Sequence, residues 1–101
     1  MVNGRPVEGT VDTGAGPSVI HARVVDKLGL ERVKWAGLPV QFFDAVRKPR
    51  DAVNVTLELG GRQAEVHCAV VESENFDENL LIGNDYLEAS GLVIDYARKA
   101  I

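Results

Sequence analysis

Residues 10–20 read TVDTGAGPSVI. An acid, Asp12, closes an apolar strand pattern. Gly14, Gly16 and Pro17 follow, and the chain turns apolar again at Val19 and Ile20. A carboxylate beside core-forming residues is a poor choice for stability alone, because taking an unpaired charge out of water is costly. Either Asp12 opens an ordinary solvated turn and caps its own backbone, or some chemistry needs a carboxylate there.

The flanking sequence supplies a frame for that loop. Upstream, Asn3-Gly4 is a tight-turn signal, and Val7, Gly9 and Val11 alternate with Glu8 and Thr10. Residues 2–12 therefore read as a hairpin whose first arm is almost missing. Downstream, Val24, Val25 and Leu28 share a helical face over residues 21–30, and Gly29 is a helix stop. Residues 38–46 read as a strand running into an apolar tip. The clearest hairpin spans residues 51–71. Val53, Val55, Leu57 and Leu59 alternate with Asn54, Thr56 and Glu58, Gly60-Gly61 turns, and Ala64, Val66, Cys68 and Val70 return. Residues 72–79 read as a polar loop, 80–82 as a short buried strand, 84–90 as a short helix stopped by Gly91, and 92–96 as a last strand.

Two pieces of the chain echo two others. Residues 3–8 (NGRPVE) resemble residues 60–65 (GGRQAE). Val19-Ile20 followed by Gly29-Leu30 resembles Leu81-Ile82 followed by Gly91-Leu92. Two matches in the same order point to a duplicated β-β-α unit.

Composition bounds the function. With 101 residues the chain makes one domain, and 46% hydrophobic against 26% charged residues is globular, not disordered. A net charge of −4 argues against nucleic acid as a partner. The one cationic cluster, Arg47, Lys48 and Arg50, is diluted by Pro49 and Asp51 and reads as a solvated loop. The single cysteine, Cys68, can form no internal disulfide and reads as a small buried side chain. No apolar run reaches the length of a membrane span, and no signal peptide is visible. The expectation is a protein with no membrane partner, in a reducing compartment.

Other chemistries fail on spacing. His21 and His67 do not stand at zinc spacing with Cys68 or an acid pair, no serine sits in a nucleophile elbow, and no glycine pattern suits a phosphate. One carboxylate alone is a weak catalyst. Two at hydrogen-bond distance cannot both ionise easily, so one holds a proton. Such a pair can deprotonate a water with one member and protonate a carbonyl with the other. A chain carrying one such acid gains the second by two-fold dimerisation.

Asp12-Thr13-Gly14-Ala15 with Ser18-Val19-Ile20 resembles the active-site loop of retropepsin-like aspartic proteases. Leu80-Leu81-Ile82-Gly83 followed by Asn84-Asp85-Tyr86-Leu87 resembles their second signature, an apolar pair and a glycine opening a late helix. The form of this segment, with the Lys27-Leu28-Gly29-Leu30 stretch, is closest to proteases of gypsy-type LTR retrotransposons. The resemblance covers nearly the whole chain in a consistent order.

It implies an all-β fold with one or two short helices, closed into a barrel-like retropepsin form, with the active site at a homodimer interface. Asp12 would be the catalytic carboxylate, paired with Asp12 of a second copy. Thr13 would bond across the two-fold axis, Gly14 would admit the substrate backbone, and Ala15 and Val19 would line the pocket. Leu81 would form an apolar wall with Asn79 at its rim, while Ile82 and Gly83 pack behind the Asp12 loop. Residues 41–46, with Phe42, Phe43 and Asp44, would be the flap tip. The implied activity is homodimeric endopeptidase cleavage of extended apolar segments of a retroelement polyprotein. It needs no cofactor or metal and takes place in the cytoplasm or within virus-like particles. Two alternatives stand beside it: a non-catalytic dimerisation or peptide-binding domain of the same fold in a larger cellular protein, and a bacterial or cellular protease of the same clan. Asp85 reads as a helix cap.

The sequence departs from the family pattern in three places. The acid often found just after the alanine, and the arginine it pairs with in the late helix, are here Gly16 and Asn84. The flap segment has no glycine. The chain also begins about one strand later than the viral enzymes, so that either residues 92–101 would form the interface more nearly alone, or the sequence is a piece of a longer chain.

Overall fold

The computed structural model describes residues 1–12, 16–41, 46–74 and 76–91. In chain order its elements are β1 (Thr10–Val11), β2 (Val19–His21), α1 (Ala22–Leu28), β3 (Val33–Lys34), β4 (Val40–Gln41), β5 (Val46–Arg47), β6 (Asp51–Leu59), β7 (Arg62–Val71), β8 (Leu80–Ile82) and α2 (Asn84–Ser90). Six strands form one sheet in the order β1-β8-β2-β7-β6-β3, and β4 pairs with β5 in a separate two-stranded sheet.

The β6–β7 hairpin organises the molecule. Its register runs from Ala52↔Ala69 to Leu59↔Arg62. Gly60 (φ 59) and Gly61 (φ 77) close it in the left-handed pair that matches the twist of the flanking strands. Val53, Val55, Leu57, Val66, Cys68 and Val70 face the main core, where Ile20, Val25, Leu80, Ile82 and Tyr86 meet them. The opposite face is not wholly solvated. Ala52, Ala69 and Val71 join Val19, Trp35, Val40 and Phe76 in a second cluster. Phe76 comes from the segment read as a polar loop.

Both helices end as the glycines foretold, with Gly29 (φ 64) and Gly91 (φ 70) in the left-handed conformation. At the start of α1 the His21 side chain accepts the Arg23 N–H. Tyr86 of α2 is fully buried, and its hydroxyl lies 2.7 Å from Arg62 O and 3.2 Å from Leu59 O, beside the hairpin turn.

The duplication is visible in the pairing. β2 and β8 run antiparallel, Val19↔Leu81 and Ile20↔Leu80. β1 runs parallel to β8, and β7 runs parallel to β2. Each half thus lends its short buried strand to a strand of the other half, and each is followed by a seven-residue helix.

Two expectations change. Residues 2–12 are not a free-standing hairpin. The Asn3-Gly4 turn forms (φ 49 and 79), but Val2 bridges Leu57 as well as Arg5. Asn3 N–H donates to Thr56 O at 2.8 Å, so β6 supplies the partner that the short first arm lacks. Only Thr10–Val11 is strand, and it joins β8, far away in sequence. The closed barrel is also absent among the described residues: the sheet is open, with β1 and β3 at its edges. The expected last strand, 92–96, lies outside the described residues. Among the described residues no helix is long and apolar enough to cross a membrane.

Candidate active site

β1 and β2 flank the DTG-containing loop, yet they do not pair with each other. β8 lies between them. The ladder continues one residue beyond β1, where Asp12 N–H donates to Ile82 O at 2.9 Å. Successive residues of a strand point to opposite faces. Asp12 therefore falls on the side of Thr10, which is paired with Leu81, itself paired with Val19. That is the side of the second cluster, where Trp35 and Val40 bring in the β4–β5 arm. Asp12 itself is exposed to solvent.

The returning half of the loop is gripped by the first turn of α2. Ser18 is fully buried. Its N–H donates to Asp85 Oδ2 at 2.9 Å and its hydroxyl donates to Asp85 Oδ1 at 2.6 Å. The same hydroxyl accepts the Gly83 N–H at 3.0 Å, and Gly16 O accepts the Asp85 N–H at 3.2 Å. Hydrogen bonds to a carboxylate are the short, strong kind. A Cβ at Gly83 would fall 2.6 Å from Pro17 O and 2.8 Å from its carbonyl carbon, so this approach needs glycine. Gly83 thus packs behind the loop as the resemblance implies.

Asp85 does more than cap a helix. It accepts its neighbour Tyr86's N–H at 2.7 Å, but the N-cap position belongs to Gly83, which has no side chain to offer. The rest of the carboxylate goes to Ser18. Gly16 and Asn84 stand where the resemblance implies an acid and an arginine, and the described bonds between the loop and α2 include those of Ser18 and Asp85. Beneath these bonds lies Cys68, fully buried. Burial pushes its thiol up from the ordinary 9.0, and the Asp85 carboxylate adds to the shift.

A second set of bonds fixes the segment that enters β8. Arg23 Nε donates to Asn79 Oδ1 at 2.7 Å, and its Nη2 donates to Asp77 O at 3.0 Å and Glu78 O at 3.1 Å. His21 N–H donates to Asn79 O at 2.9 Å. Thr10 Oγ1 donates to Glu78 Oε2 at 2.9 Å, tying the same segment to the strand that carries Asp12.

Of the expected site residues, Asp12, Leu81 and Val19 come together on one face of the sheet. Leu81 is half-buried at the edge of the second cluster. Val19 is buried inside that cluster, and Asn79 is half-buried with its side-chain oxygen committed to Arg23. Thr13, Gly14, Ala15, Phe42, Phe43 and Asp44 lie outside the described residues. Ser18, Asp85 and Arg23 gained no role in this site from sequence. One signal was available: Ser18 is a hydroxyl just ahead of a buried strand, and a buried hydroxyl needs a partner.

A search of protein families matches residues 1–89 to the family described as gag-polyprotein putative aspartyl protease. No curated protein matches the chain.

Proposed function

Since the chain belongs to the aspartyl protease family of gag polyproteins, we propose that it is a homodimeric aspartic endopeptidase that processes a retroelement polyprotein. Two copies meet about a two-fold axis, and each contributes one Asp12. The ionised carboxylate takes a proton from a water, whose oxygen attacks the scissile carbonyl carbon. The protonated carboxylate gives its proton to the carbonyl oxygen. Collapse of the tetrahedral intermediate breaks the C–N bond: the amine leaves with a proton from one carboxylate, and a hydroxyl of the intermediate gives its proton to the other as the carbonyl re-forms, which restores the singly protonated pair. Neither metal nor organic cofactor enters these steps.

The observation that supports the reading most is the mounting of Asp12. It is exposed, at the end of a strand, with its own amide bonded to Ile82 and the returning end of its loop tied to α2 by Ser18. A merely solvated turn needs no such support. Thr13, Gly14 and Ala15 complete the loop in this reading. Substrate binds extended, adding a strand between the floor around Leu81 and the arm whose tip carries Phe42, Phe43 and Asp44. Cleavage takes place where the polyprotein gathers, in the cytoplasm or in virus-like particles.

The test joins activity to assembly. Cleavage of an extended apolar peptide is followed across a dilution series, beside analytical ultracentrifugation. Activity per chain should fall as dimer gives way to monomer. Full activity in a sample that sediments as monomer would refute the shared site.

A further inference from the structure

The β4–β5 arm stands apart from the main sheet. Its strands pair only with each other among the described residues. Leu38 and Val46 are 83% and 60% exposed, and Val40 is the arm's one buried side chain among the described residues of 38–50. What holds such an arm is its root, and both legs of the root meet at Trp35. Trp35 N–H donates to Arg50 O at 3.3 Å on the leaving leg. Its Nε1 donates to Leu38 O at 3.0 Å on the entering leg. Gly37 lies so close that a Cβ there would clash with the Trp35 indole.

Trp35 and the residue after it are in turn fixed to β7 by one side chain. The His67 imidazole stacks on the indole, with centroids 5.0 Å apart and planes 18° from parallel. Its Nε2 accepts the Ala36 N–H at 3.1 Å. A nitrogen that accepts cannot carry the proton, so the hydrogen is on Nδ1, which donates to Asn54 Oδ1 at 2.6 Å across the hairpin. Asn54 and His67 are paired in the β6–β7 register. The hairpin thus selects the tautomer, and the tautomer offers the acceptor. Ala36 is exposed, so water could satisfy its amide equally well. The His67 bond fixes where the chain goes more than it meets a need for a partner.

We propose that His67 is a positioning residue for peptide binding: it anchors the root of the β4–β5 arm, Trp35–Leu38, and so sets how β4 and β5 stand against the main sheet. The proposal rests on the endopeptidase reading of the site.

The experiment compares His67→Phe with His67→Gln. Phenylalanine keeps an aromatic ring on Trp35 but offers no acceptor. Glutamine can place an amide oxygen near the position of Nε2. In His67→Phe, amide hydrogen exchange over residues 36–41 and 46–47 should speed up by about threefold to tenfold, the worth of one hydrogen bond. KM for a peptide should rise by a similar factor while kcat stays within about twofold. His67→Gln should restore most of both. Asn54→Ala keeps the ring and removes the group that fixes its tautomer, so it should shift both readouts in the same direction and covers the case in which His67→Phe does not fold. Unchanged exchange in the arm, or equal losses of kcat and melting temperature in the Phe and Gln variants, would overturn the proposal. Exchange needs no turnover. If the unaltered protein cleaves nothing, the endopeptidase reading fails on its own, and the exchange data still decide whether His67 anchors the arm.

Discussion

Ser18 and Asp85 stand 67 residues apart in sequence and are joined twice, backbone N–H to Oδ2 and hydroxyl to Oδ1. This pair couples the loop that carries Asp12 to the helix that closes the second half of the fold.

Replacing Ser18 with alanine removes the hydroxyl from Asp85 Oδ1 and leaves the Gly83 N–H without its acceptor in a buried place. The cost should be about 1–3 kcal/mol, and each kcal/mol should lower the melting temperature by about 4–8 °C in a domain of this size. Adding Asp85→Ala to Ser18→Ala should cost less than the sum of the two single changes, because both act on one network. Chemical denaturation of the four proteins checks this, and additive losses would show that the pair is not coupled.

Gly83→Ala tests the closeness of loop and helix. The added methyl meets Pro17 backbone, not a side chain that can swing away. Overpacking of this kind should destabilise by about 1–3 kcal/mol. Displacing the loop by about 1 Å should cost about a hundredfold in kcat. Activity should therefore fall further than the folded fraction does, when peptide cleavage is compared with circular dichroism at one temperature.

Asp12→Asn should lower peptide cleavage by at least about a hundredfold, the loss expected when an acid–base group is removed. The change is close to isosteric at an exposed position, so stability should stay within about 0.5 kcal/mol. A variant that still cleaves at an appreciable rate would remove Asp12 from the chemistry.

Cys68 makes an alkaline prediction. Its thiol is shifted upward in the folded chain, so the unfolded chain loses this proton first as pH rises. The unfolded state then binds fewer protons than the native state, and stability falls with pH. The thiol's stabilising contribution is whole below the unfolded value and should be lost progressively above the ordinary 9.0. Denaturation midpoints from pH 7 to 10.5 should show this slope, and Cys68→Ala should flatten it. A thiol reagent should label Cys68 only when the protein unfolds.

What the sequence disclosed was local. The β6–β7 hairpin was legible because period-two alternation and Gly60-Gly61 agree with each other. Both helices were legible because a glycine stands where each must stop. The Asp12 loop was legible because a lone acid among core residues demands a reason. The partners of these pieces were hidden. Nothing near Thr10 says that its strand runs beside Leu81, and Val2 does not announce Leu57. The alternation over residues 7–11 suggested a longer strand than forms, since no partner reaches it until β8 arrives. Ser18 meets Asp85 only after the sheet is assembled. Val19 was expected to line the pocket, and pattern alone could not show that it lies in one cluster with Val40 of the β4–β5 arm.

The insertion of β8 between β1 and β2 also sets an order of events. The segment that carries Asp12 is made early, and the strand that organises it is made late. A nascent chain therefore holds its acid on an unbraced loop until residues 80–85 have emerged. Sheet pairings that wait for distant partners form slowly. In the proposed endopeptidase such a delay is a timer: the loop that carries Asp12 is braced only when residues 80–85 are in place.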